Sequence, residues 1–181
     1  MRKIILDLAV SLDGFIEGPN GETDWCILDA DMNFDRFLDT IDAVFYGRKS
    51  YDAWGHYRPE GNAPDALFWE QVHAKTKYVF SHQSPEDTRA VWISSDLRNT
   101  IARIRAQAGK DIWLYGGAGL IQSFLELDLI DTYRISVHPI VLGSGKPLFE
   151  NVQERIPLEL VGTKAFRSGV VQLIYERSQQ E

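Results

Sequence analysis

The sequence predicts an α/β fold, with a largely parallel sheet, helices on its faces and an antiparallel edge towards the C-terminal end. Three observations carry this expectation. Near-continuous apolar runs, KIILDLAV at 3–10 and DAVFYG at 42–47, have the character of strands buried on both faces. Segments with apolar residues at helical spacing alternate with such runs as far as LIQSFLEL. Beyond them, TYRISVHPIVLG, LELVGTKAF and GVVQLIYER read as consecutive antiparallel strands joined by turns.

Taken in order, residues 3–10 form the first strand and GPNG at 18–21 a turn. Residues 31–41 (DMNFDRFLDTI) place Phe34, Phe37, Leu38 and Ile41 on one helical face, and the strand 42–47 follows. GRKSYD at 47–52 opens another helix. Pro64 suits the first turn of a helix through LFWEQVHAK. KYVFS and AVWIS are strands, and Ser95 or Asp96 caps a helix with Leu97, Ile101, Ile104 and Ala108 inward. DIWLYG is a strand that runs through glycines into a helix with Leu120, Ile121, Phe124 and Leu125 inward. No repeat or long linker interrupts the chain, so one domain over 1–181 is expected.

Composition narrows the function. With 181 residues, 44% hydrophobic and 12% aromatic, there is apolar material for a real core. A net charge of -7 argues against a surface for nucleic acid or anionic lipid. The single cysteine, Cys26, excludes an internal disulfide and any CxxC site. No apolar run approaches the ~20 residues of a membrane span, and the N-terminus lacks signal-peptide character, so a cytoplasmic protein is expected. His56, His73, His82 and His138 do not pair at metal spacing, so no metal site is expected, and His138 reads as a satisfied sheet residue.

Two strand ends carry chemistry. LYGGAGLIQSF at 114–124 delivers a strand into a helix through Gly116, Gly117 and Gly119, which bares backbone N–H groups where an anion, above all a pyrophosphate, can approach. It fits GxGxxG only in part, because Gln122 holds the third glycine's place. A tight turn with close helix packing explains the glycines equally well. The second end, GRKSYD, offers Gly47, Arg48, Lys49 and Ser50, where the cations could hold a terminal phosphate and Ser50 another. Alternatively Ser50 merely caps a helix. In an open α/β sheet, ligands bind beyond the carboxyl ends of strands, so both ends could serve one long anionic cofactor.

At this point DLAVSLDGFI (7–16), DAVFYGRKSYDAWG (42–55), YVFS (78–81), LYGGAGLIQSF and VLGSGKPLFE (141–150) resemble a known family. They are similar to the dihydrofolate-reductase-like proteins grouped with the C-terminal reductase domain of the bifunctional riboflavin-biosynthesis deaminase/reductase. The resemblance runs from Lys3 to about Phe149. It implies a dihydrofolate-reductase-like fold with NADPH across the strand ends. By the same resemblance, Gly47, Arg48, Lys49 and Ser50 bind the adenine-side phosphates, with Arg48 on the 2′-phosphate and Ser50 on the pyrophosphate, while Ser81 flanks the adenosine. Gly116, Gly117, Ala118 and Gly119 wrap the pyrophosphate, with Leu120 and Ile121 beginning the helix behind. Ala9 and the stretch from Gly14 to Ile16 border the nicotinamide, and Trp25, Phe34 and Trp54 lie towards the substrate. Asp13 reads as a plain turn residue.

Hydride transfer to C=N or C=O needs a proton donor. Asp31 falls near the first-helix carboxylate of folate reductases, although Asp29 or Asp31 could simply cap the helix. Asp7 is a carboxylate inside IILDLAV, so it needs a partner such as Lys3, Arg134 or a backbone amide, or an upward-shifted pKa. The riboflavin-pathway reductases show lysine at that place, and the HxE…PCxxC deaminase signature has no counterpart, which points to a stand-alone relative. GSGKPLF at 143–149 is a phosphate nest, a turn between edge strands or part of a dimer contact, with a structural role favoured.

The expected activity is NADPH-dependent reduction of a small pterin- or pyrimidine-like heterocycle by direct hydride transfer. The alternatives are 5-amino-6-(5-phosphoribosylamino)uracil reductase and a non-catalytic NADP-binding module. A flavin stays open, as does a homodimer.

Overall fold

The computed structural model describes residues 1–28, 30–61, 63–83 and 86–178. In chain order its elements are β1 (Ile4–Ser11), β2 (Phe15–Glu17), a 3-10 turn (Ala30–Met32), α1 (Phe34–Thr40), β3 (Ile41–Gly47), α2 (Arg48–Trp54), α3 (Ala66–His73), β4 (Thr76–Phe80), β5 (Val91–Ile93), α4 (Leu97–Ala106), β6 (Asp111–Gly116), α5 (Ala118–Glu126), β7 (Thr132–His138), β8 (Lys146–Pro147), β9 (Leu158–Ala165) and β10 (Val171–Arg177). They gather into two compact units, Met1–Ile4 with Asn33–Leu120, and Ile5–Met32 with Ile121–Glu181.

The first unit is parallel throughout: β3 pairs with β4 and with β6, and β4 pairs with β5. Val44, Phe45 and Tyr46 of β3 are fully buried, which matches the unbroken apolar run that marked this strand. On α4, Ile101 and Ile104 are buried, each contributing roughly 1.5–3 kcal/mol of apolar transfer. Ala108, assigned to the same face, is exposed because the helix stops at Ala106. Asp96 does hold the cap position of α4, yet it adopts φ +50° and its carboxylate accepts from the Asn99 side chain instead of a helix N–H. Pro64 lies just before α3, with Asp65 at the cap.

The helix expected over 31–41 is divided. Asn33 takes a left-handed backbone (φ +50°), which a short amide side chain tolerates and a continuing helix does not. Asp31 consequently sits in the 3-10 turn, and Ile41, fully buried, already opens β3. Asp29, weighed as a cap, lies outside the described residues.

In the second unit β1 pairs in parallel with β7, from Ile5 opposite Thr132 to Ser11 opposite His138. β7 and β10, then β10 and β9, are antiparallel and form the edge. Most of β9 is exposed, as an edge strand should be. The fold is therefore mixed α/β, mostly parallel, with an antiparallel edge, as the sequence predicts. The short pair β2 and β8 was not foreseen. GSGKPLF supplies β8, and Gly143 (φ +76°) and Gly145 (φ +152°) make the tight path into it. Lys146 is ion-paired to Glu150. No helix of the described residues is long and apolar enough to cross a membrane.

Candidate functional site

The two glycine-bearing strand ends are neighbours within the first unit. β3 and β6 run side by side with Tyr46 opposite Gly116, so the chain leaves both strands at the same level. Gly47 caps α2, and a Cβ added there would lie 3.2 Å from the Gly117 nitrogen and 3.5 Å from the Leu120 Cβ. A Cβ on Gly117 would meet the Ser50 hydroxyl at 2.9 Å. Gly116 has φ +111° and is joined to Gly117 by a cis peptide bond. Gly117 then accepts from the Leu120 N–H, 2.9 Å, as α5 begins. Glycine suits Gly47 because the two junction backbones nearly meet there, Gly116 because of its positive φ, and Gly117 because the Ser50 hydroxyl lies where a Cβ would stand. Ser50 is the third helical residue of α2, not its cap, and its hydroxyl faces the glycine turn.

The cations flank this cradle. The Arg48 guanidinium donates to both Asp52 carboxylate oxygens (2.9 and 2.7 Å) and lies 5.3 Å from the centre of the Trp92 ring, which holds a planar donor half-exposed at the strand ends. Lys49 is exposed. Ser81 follows the last residue of β4, its N–H bonded to the Ile93 carbonyl at 3.0 Å. Ala118, Leu120 and Ile121 begin α5, with Ile121 buried. Trp54 closes the opposite end of α2, stacked on Trp69 at 5.5 Å and 7°, and Phe34 meets Phe68 edge-on at 5.5 Å. Both aromatic residues are thus packed into the first unit's core wall.

In the second unit Asp7 is only 4% exposed. Burial pushes its carboxyl up to about 6, against the pull of Arg134 at 3.6 Å, its partner across β7. Of the partners expected for Asp7, Arg134 lies at ion-pair distance. Strand alternation and the register put Asp7, Ala9 and Ser11 on one face with Arg134, Ser136, His138 and Gln172. Ser11, Ser136, His138 and Gln172 are 1–5% exposed, and Gln172 donates to the Ser136 hydroxyl at 3.3 Å. This polar stripe inside a sheet was missed in the sequence, where GVVQLIYER reads only as one of three antiparallel strands. His138 bonds the Ser136 carbonyl at 3.0 Å and meets Trp25 edge-on, in keeping with a satisfied sheet residue.

Asp13 accepts from the Ser11 hydroxyl (2.7 Å) and from the N–H groups of Leu142 (3.1 Å) and Gly143 (2.7 Å), which hold its carboxyl down to about 2. It is the turn residue expected. Gly14 (φ +88°) and the half-buried Ile16 follow it. Asp31 is exposed, and its carbonyl accepts from the Lys164 ammonium at 2.6 Å. Among the described residues no group of His, Cys, Asp and Glu is placed to hold a metal ion.

The model of the RibD C-terminal domain matches residues 2–172. The chain belongs to this family. A relative within reach of it, the Bacillus subtilis (strain 168) protein YyaP, is 54% identical over 177 residues, covering 96% of this chain and 94% of its own. Among solved structures, a candidate riboflavin biosynthesis protein from Shewanella sp. PV-4 is 25% identical with a TM-score of 0.81, over 99% of this chain and 100% of that one. Dihydrofolate reductase from Enterococcus faecalis, complexed with NADP(H) and RAB-propyl, shares the fold at a TM-score of 0.68 and 15% identity, over 98% and 97% of the two chains. The RibD C-terminal fold seen here therefore extends, as a fold, to dihydrofolate reductases.

Proposed function

We propose that this protein is an NADP(H)-dependent oxidoreductase that reduces a small pterin- or pyrimidine-like heterocycle at a C=N or C=O group. The observation that carries this reading is the abutment of Gly47 on Gly117, with Ser50 against the same glycine. That cradle brings two strand ends together and sets a hydroxyl and Arg48 beside them, a donor set suited to a pyrophosphate with a further phosphate. Any side chain at Gly117 would fill it. The reduced nicotinamide supplies the hydride when bound; the resemblance assigns Ala9, Gly14 and Ile16 to that ring.

The chain's own contribution to chemistry is a proton. Asp7 is favoured over Asp31, because a carboxyl raised to about 6 by burial is still partly protonated near neutrality, whereas Asp31 stands in solvent. Asp7 also bears on substrate: riboflavin-pathway reductases show lysine there, so a carboxylate favours a heterocycle that offers a donor over one that offers a phosphate.

Titrating the pure protein with NADPH and NADP, followed by fluorescence, tests the reading; no binding at sub-millimolar cofactor removes it. Arg48→Ala is expected to weaken NADPH about tenfold, the worth of one charge-assisted contact, and to leave NADH nearly unchanged. Equal loss for both cofactors would take Arg48 off the 2′-phosphate.

A further inference from the structure

Away from the glycine cradle, the first unit has a cavity of about 310 Å³ lined, among the described residues, by His56, Arg58, His73, Lys77 and Arg89. Every one of these side chains can carry positive charge, in a chain whose net charge is -7. Lys77 is 9% exposed, and its ammonium has no hydrogen-bond or ion-pair partner among the described residues. Burial, with Arg89 and Arg58 nearby, holds its ammonium below the ordinary lysine range, and Asp87 offsets this only in part. Asp87 is already committed: it accepts from Arg89 through both carboxylate oxygens (2.8 and 2.9 Å) and from the Tyr51 hydroxyl (2.9 Å). His73 shares its Nε2 with the Tyr57 carbonyl at 2.5 Å, and its buried Nδ1 has no partner among the described residues.

An ammonium carried on a nearly buried side chain, with two guanidinium groups near and no hydrogen-bonded counter-ion, is held at a cost that an apolar residue of the same length would relieve. A cavity that gathers this ammonium and the exposed Arg58 guanidinium, with Arg89 held by Asp87 at its edge, is arranged for an anion that arrives from outside. The volume equals the share of about ten waters, room for a phosphate with a small sugar or similar group attached. We propose that this cavity binds a phosphate group, free or as a small phosphomonoester, with Lys77 and Arg58 as its principal cationic contacts. The site is separate from the cofactor cradle: its residues come from the segment after α2, the end of α3, the start of β4 and the approach to β5, and none belongs to the two glycine junctions. It does not depend on the protein being a reductase.

The test is calorimetric titration of the full chain with inorganic phosphate, ribose 5-phosphate and ribose, on wild type, Lys77→Met, Arg58→Ala and Arg48→Ala. Phosphate binding is expected in wild type and in Arg48→Ala, with at least about tenfold loss in both Lys77→Met and Arg58→Ala and none for ribose in any protein. Tighter binding of ribose 5-phosphate than of phosphate assigns the site to a phosphomonoester, and equal binding assigns it to the free ion. In parallel, Lys77→Met is expected to raise the melting temperature without ligand and to abolish its further rise with phosphate. Arg58 is exposed, so its variant keeps the fold and reads the site even if Lys77→Met misfolds. No phosphate binding by wild type, or loss in Arg48→Ala alone, overturns the proposal.

Discussion

Asp7→Asn is expected to give a protein that turns over substrate more slowly and resists unfolding better. Loss of a positioned proton donor lowers turnover by about 10²–10⁴-fold. The descending limb of activity above about pH 6, where Asp7 loses its proton, should vanish with it. Stability moves the other way. The folded-state pKa lies above the unfolded value near 3.8, so the stabilisation from this group is complete below that value and lost as pH rises through about 6. An asparagine keeps the neutral form at every pH. At pH 7 the variant should therefore gain on the order of 2–3 kcal/mol, shrinking towards nothing near pH 4. Urea unfolding at the two pH values, paired with steady-state rates, measures both effects. A variant that is stabilised but turns over normally would remove Asp7 from the chemistry and leave it a buried structural carboxylate paired with Arg134.

Gly145→Ala should break the pairing of β2 with β8. At φ +152° the backbone is one that L side chains rarely adopt, and a Cβ there would collide with the Glu17 carbonyl oxygen and press on the Gly18 Cα at 3.3 Å. Neither of those atoms belongs to a flexible side chain, so the strand itself must move. Backbone strain and the overpacked contact together cost roughly 3–5 kcal/mol. The expected signs are a lower denaturation midpoint and faster amide exchange at Leu148, whose N–H donates to the Gly14 carbonyl at 2.9 Å. Gly143→Ala is the control: its Cβ would enter open space, and only the φ of +76° penalises it. A Gly145 variant as stable as the Gly143 variant would show that the ribbon yields.

The parallel strands were legible because burial on both faces leaves an unbroken apolar signature, as in DAVFYG. Glycine was legible too, since the Gly47 of GRKSY stands where an added Cβ would press on the backbone of Gly117. Distance along the chain hid the rest. Nothing in QLIYER or SVHPIV announces that Gln172 and Ser136 lie beside each other, because the register that pairs them is set by the whole antiparallel edge. The cationic cavity draws on residues from His56 to Arg89, each unremarkable alone. The helix over 31–41 failed for a local reason: apolar spacing is indifferent to one residue, Asn33, that turns left-handed and lets two short elements imitate one long one.

The parallel pairing of β1 with β7 also orders events in time. Ile5 waits for Thr132, and the whole of Asn33–Leu120 is synthesised in between. Closing a loop of that length costs on the order of 4 kcal/mol in chain entropy before any contact repays it. The β3–β4 and β4–β5 pairings span far shorter separations and the β3–β6 pairing about half that length, so they can form first, drawing in the loop and lowering that cost. Asp7 and its polar stripe are therefore assembled late.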